Sequence, residues 1–135
     1  SFGVVKDQPL RALCHTGAFL GEGAPVFEMR DVAGPDTNLM ITDQKLGECL
    51  ASSMGDSKVV LMRGHGSTVV GSNVQDAVFT AIYSEVAAGI QSAAMALGEV
   101  NYLSPGEIST INGAGSAGSA IVVERTWDFW KSELG

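Results

Sequence analysis

Residues 58–98 read as strand, corner, strand and long helix in immediate succession, and that order limits the fold more than any other feature of the chain. Lys58-Val59-Val60-Leu61-Met62 is an apolar run rich in β-branched residues, the signature of a buried strand. Arg63-Gly64-His65-Gly66 interrupts it, and Ser67-Thr68-Val69-Val70 resumes as a second strand. Asn73 caps a helix predicted from Val74 to about Leu97, with Val74, Val78, Ile82 and Val86 sharing a face and Gly98 ending the run. Together with the helical stretches described below, this predicts an α/β layered domain.

Upstream, Pro9-Leu10-Arg11-Ala12-Leu13-Cys14 alternates and predicts a short strand, with His15 and Thr16 near its end. Gly17 to Gly23 reads as a glycine-rich connector, Pro25-Val26-Phe27-Glu28-Met29 as another strand, and Gly34-Pro35-Asp36 as a turn. Thr42 or Asp43 caps a helix over Gln44 to Met54, with Leu46, Leu50 and Met54 as its apolar stripe and Gly55 as its stop. After the long helix, Ser104-Pro105-Gly106-Glu107 makes a turn able to cap a short helix. The Gly/Ala/Ser-rich stretch Asn112 to Ser119 is expected to be mobile or closely packed on another surface. A final helix from about Ala120 carries Val123, Trp127, Trp130 and Leu134 on one stripe, and its two tryptophans need a large apolar partner.

A chain of 135 residues, 45% hydrophobic and 17% charged, suits one domain, 1–135, with ample material for a core. Its net charge of -7 comes without a basic run, which argues against nucleic acid as a partner. No apolar stretch reaches the roughly 18 to 20 residues of a membrane span. Cys14 and Cys49 lack Cys-x-x-Cys spacing and read as free thiols, which fits a reducing cytoplasm.

The candidate chemistry centres on His65. A histidine between glycines where a strand ends is either a structural turn residue or a ligand, and neutral imidazole is a common ligand for transition ions. A catalytic metal needs about three protein ligands, so His65 cannot make a site alone. His15, the other histidine, reads either as a strand-end residue satisfied by backbone or as a second ligand or acid–base group. Arg63 suits a substrate carboxylate by bidentate pairing, or points to solvent, or pairs with Glu or Asp. Glu85, mid-helix, reads as a solvated residue or as a carboxylate orienting a ligand. Gly-x-Ser-x-Gly is absent, and no glycine loop leads into a helix with the Lys-Ser or Lys-Thr of a phosphate cradle.

The run VVLMRGHGSTVVGSNVQDAVFTAIYSEVAAGIQSAAMALG, from Val59 to Gly98, resembles the class II aldolase/adducin family. The flanks PLRALCHTGAF, YLSPGE and RTWDFW extend the likeness and most resemble the decarboxylase branch, which acts on carboxylated catechol-type or ring-opened aromatic acids. The resemblance implies a three-layer αβα sandwich around a mixed, largely antiparallel sheet, with active sites between subunits of a homotetramer or larger ring. It also implies that His65 is the third histidine ligand of a divalent metal (Zn, Mn, Fe, Co or Mg); His15 and Arg63 stand beside it as catalytic candidates from the reading of the residues themselves. In the family the first two ligands come from a His-x-His motif on an earlier strand. Ser1 falls a few residues beyond where that motif would stand, so the chain resembles the C-terminal two thirds of the domain and is expected to aggregate alone through open sheet edges.

The family's sugar-phosphate aldolases carry a proton-donating tyrosine where this chain has Thr16. Decarboxylation of a small carboxylic acid is therefore the expected reaction, with the cation stabilising the enolate left as carbon dioxide departs. A sugar-phosphate aldolase or epimerase is the same-family alternative, and a non-catalytic, adducin-like assembly module is the alternative of another class.

Overall fold

Strand β2 (Val59–Met62) is buried along its whole length, and the rest of the described chain is arranged around it. The computed structural model describes residues 1–113 and 115–134. Strand β1 (Val26–Phe27) pairs with β2 in parallel, and β3 (Gly66–Val69) pairs with it antiparallel, giving a three-stranded mixed sheet in the order β1-β2-β3. The expected predominance of antiparallel pairing is not found in this sheet, where one pairing is of each kind.

Side chains of β2 alternate between two apolar clusters, as the period of a strand requires. Val59 and Leu61 join Phe2, Leu10, Leu20, Ala24 and Ala87 on one side. Val60 and Met62 join Phe27, Met29, Leu46 and Met54 on the other. Leu46 and Met54 belong to helix α2 (Gln44–Met54), whose first turn is capped by Asp43, its carboxylate accepting the Leu46 N–H at 2.9 Å. The short helix α1 (Arg30–Ala33) precedes it, ending at Gly34 with φ +84°, a left-handed conformation that favours glycine.

Helix α3 (Val74–Leu97) has the predicted bounds and cap, with the Asn73 side chain accepting the Asp76 N–H at 2.8 Å. Its buried face, however, is Phe79, Thr80, Ser84, Ala87 and Gln91. The predicted stripe turns outward: Val74 is 68% exposed, Ile82 40% and Val86 42%. Four-residue steps advance about 40° beyond a full turn each time, so that stripe winds around the helix. Spacings of three and four residues hold a straight seam, and the small side chains of Thr80, Ser84 and Ala87 let the helix lie close to its neighbours.

Three further expectations need correction. Pro9 to Cys14 is extended but forms no sheet strand. Pro9 has no N–H, the Arg11 N–H goes to the Gln91 side chain, Ala12 pairs with Gly21 and Leu103, and Leu10 pairs with Ala24. Its hydrogen bonds are thus divided among several elements, and no ladder forms. The supposed connector after it contains a 3-10 helix, His15–Leu20, with Gly17, Ala18 and Leu20 buried. Strand β1 stops at Phe27, because Met29 already has helical angles and begins α1.

Ser104 and Glu107 form a reciprocal capping box at the start of helix α4 (Pro105–Gly113): the Ser104 N–H donates to Glu107 Oε2 at 2.8 Å and the Glu107 N–H to Ser104 Oγ at 3.2 Å. Helix α5 (Gly115–Glu133) begins five residues before Ala120. The stretch Asn112 to Ser119 includes Ala114, which lies outside the described residues; its neighbours on either side belong to α4 and α5. Trp130 finds an aromatic partner in Tyr83 of α3, the ring centroids 6.5 Å apart, while Leu134 is exposed. Among the described residues no helix is long and apolar enough to cross a membrane.

Candidate functional site

The three residues Arg63, Gly64 and His65 join β2 to β3, with Met62 and Gly66 facing each other across the hairpin. The His65 N–H donates to the Met62 carbonyl at 3.0 Å, closing the turn. Gly64 occupies the third turn position at φ +73°, where a type II-like turn calls for glycine. A Cβ on Gly64 would also stand 3.1 Å from Leu39 Cδ1, so the turn rests directly on the loop before α2. This geometry explains the glycine ahead of His65 and places the imidazole, exposed, at the tip of the hairpin.

His65 lines a cleft of about 290 Å³ between the hairpin, residues Ser1 to Val4 and the middle of α3. Glu85 lines the same cleft, and the two are the ionisable side chains among its described lining residues. Ser67 and Ser84 add hydroxyls, the latter donating to the Thr80 carbonyl at 2.6 Å. The structure therefore brings together two of the residues singled out from sequence, His65 and Glu85.

It does not bring the others to them. His15 lies exposed at the start of the 3-10 helix and lines a different cleft, of about 550 Å³, with Thr16, Lys58, Asp76 and Asn112. Lys58 Nζ is tied to both carboxylate oxygens of Asp76, at 3.0 and 3.1 Å. Burial works to raise the Asp76 pKa, but the Ser72 N–H and the Lys58 ammonium outweigh it and hold the carboxyl below its usual range. Arg63 is ion-paired, its Nε 2.6 Å from Glu28 Oε2.

Glu28 is a polar residue of this region that the sequence alone does not single out. Its Oε2 also meets Arg30 Nη2 at 2.6 Å, and its Oε1 accepts the Arg30 N–H at 3.0 Å. The Arg30 guanidinium first, and the Arg63 guanidinium next, lower its pKa to about 2. The available signal was Glu28 and Arg30 two residues apart at the end of an apolar run.

Among the described residues no group of three or more His, Cys, Asp or Glu side chains is placed to hold a metal ion. His65 and Glu85 thus provide part of a ligand set at most, and these residues by themselves do not form a metal centre.

The strand, glycine-flanked histidine turn, strand and most of the capped helix lie within residues 4–92, which match the family described as class II aldolase and adducin N-terminal domain. The chain belongs to the class II aldolase/adducin family. It is 38% identical over 98 residues to the decarboxylase tropJ of Talaromyces stipitatus, an alignment covering 65% of this chain and 37% of that protein. A crystal structure of an aldolase II superfamily protein from Pseudomonas syringae superposes with a TM-score of 0.67 at 23% identity, over 98% of this chain and 50% of that one. The chain thus spans about half, or less, of the length of the relatives it matches. Class II aldolases are generally divalent-metal dependent.

Proposed function

We propose that this chain forms part of a divalent-metal-dependent carbon–carbon lyase, a decarboxylase of a hydroxylated aromatic or ring-opened aromatic acid. The observation that carries the reading is His65. It is an exposed imidazole on a tight hairpin at the mouth of a cleft, inside the segment that matches the class II aldolase family. The identity to a decarboxylase supports the choice of reaction.

In this reading His65 is one metal ligand, and two more come from polypeptide beyond these 135 residues or from another copy. When bound, the cation supplies Lewis acidity toward an oxygen of the substrate. Glu85, on the same cleft wall, is placed to hold or move a proton at the site. His15 and Arg63 receive less support, since His15 lines another cleft and Arg63 is occupied by Glu28. The complete domain is proposed as a three-layer αβα sandwich working in the cytoplasm as a homotetramer or larger assembly.

Metal content of the full polypeptide, with and without His65→Ala, tests the assignment. The variant is expected to lose most bound metal, and unchanged content would remove His65 from the site. Assay against hydroxylated phthalates and sugar phosphates separates decarboxylase from aldolase: carbon dioxide release from the first set is expected.

A further inference from the structure

Arg63 is held by two contacts with the end of β1. Its N–H donates to the Phe27 carbonyl at 3.1 Å, and its Nε lies 2.6 Å from Glu28 Oε2. It is also the second residue of the turn that His65 closes through the Met62 carbonyl. Glu28 is held in turn by Arg30, whose backbone N–H engages one carboxylate oxygen and whose guanidinium engages the other. One carboxylate therefore joins the end of β1, the start of α1 and the β2–β3 hairpin.

We infer that Glu28 is a positioning residue for His65: its ion pair with Arg63 fixes the hairpin turn and so the direction of the imidazole at the cleft. The importance of that direction rests on the proposed role of His65, but the mechanical claim does not. Beyond the His65–Met62 and Arg63–Phe27 backbone hydrogen bonds, the tip of this three-residue hairpin, with a glycine in the left-handed region, depends on side chains packed or paired against it. Leu39 lies against Gly64, and the Glu28 carboxylate is ion-paired with Arg63. Glu28 is not among the residues that line the cleft, and its ion pair on the hairpin is with Arg63, so its effect passes through Arg63.

The test is amide hydrogen exchange together with the imidazole nitrogen resonances of His65, in the full polypeptide without metal. Glu28→Gln is expected to speed exchange of the His65 N–H about fivefold, while amides of Ser84 and Gln91 in α3 keep their rates. The imidazole resonances should shift in Glu28→Gln and return toward the native positions in Glu28→Asp, which restores the charge. Arg30→Gln, which leaves the Glu28–Arg63 pair, should change the hairpin less than Glu28→Gln does. If Glu28→Gln does not fold, Arg63→Lys provides the same readout with the charge kept and the Nε contact removed.

Unchanged His65 exchange in Glu28→Gln would overturn the inference. So would equal acceleration in α3, or equal loosening by Arg30→Gln. Wild-type protein that binds no metal would refute the proposed function yet leave these exchange results to stand or fall separately.

Discussion

Gln91, fully buried on α3, donates through Nε2 to the Tyr102 hydroxyl at 3.1 Å and to the Pro9 carbonyl at 2.9 Å, while its Oε1 accepts the Arg11 N–H at 2.9 Å. One amide thereby clamps the extended segment before the 3-10 helix, and the segment after α3, onto the long helix. Arg11 strengthens the same junction by lying over the Tyr102 ring, 4.2 Å from its centroid.

Replacing Gln91 with Leu preserves bulk but strands the Arg11 N–H and the Pro9 carbonyl without partners. A loss of about 2 to 5 kcal/mol is expected in urea unfolding, while Tyr102→Phe should cost only about 1 kcal/mol. A loss for Gln91→Leu below that of Tyr102→Phe would show that the clamp contributes little.

Gly71 is the glycine whose replacement should be most damaging. A Cβ there would run into the Ala77 N and stand 2.9 Å from its Cα, both backbone atoms of the first turn of α3. Gly71→Ala must push the connection after β3 away from the start of the helix, at an expected cost of about 1 to 3 kcal/mol. Gly47→Ala, at a helical position with open space around it, should be neutral or stabilising in the same thermal melts.

The depressed pKa of Glu28 sets a pH dependence. Its folded value of about 2 lies below the ordinary 4.5, so its contribution is fully present above pH 4.5 and is lost as pH falls toward 2. Glu28→Gln should flatten the decline in the urea midpoint within that window and lower the midpoint at pH 7, less so in high salt. An identical decline in wild type and variant would mean that the ion pairs contribute nothing to stability.

The outward stripe of α3 leaves Val74, Ile82, Val86 and Ile90 at least 40% exposed, and Phe129 and Leu134 of the C-terminal region add to the apolar surface. The 135-residue chain by itself should therefore self-associate with rising concentration, as light scattering after size exclusion would show. Ile82→Lys should reduce that association without lowering the melting temperature. A monomer at all concentrations would count against an interface on this face.

Local chemistry was enough to place much of this architecture. Asp43, Asn73 and the Ser104–Glu107 pair announce their helices because a cap is satisfied within a few residues. Strand β2 and the hairpin were legible for the same reason: an unbroken apolar run and glycines at a turn act over short range. His65 was legible with them, being part of that turn.

Contacts between distant residues were not legible. Pro9 to Cys14 alternates like a strand, yet its hydrogen bonds go to Gln91, Gly21, Ala24 and Leu103, and only the packed chain could assign them. The buried face of α3 was decided likewise, by which side lets small residues approach the core, because hydrophobic pattern alone marked a different stripe. Arg63 reads from sequence as a substrate clamp, a solvated residue or a partner of Glu or Asp, and only the fold brings Glu28, far from it in sequence, beside it. Propensity, capping and turn chemistry are short-range and written in neighbouring residues, whereas pairing of charges and sharing of a cleft depend on where the folded backbone brings distant ones together.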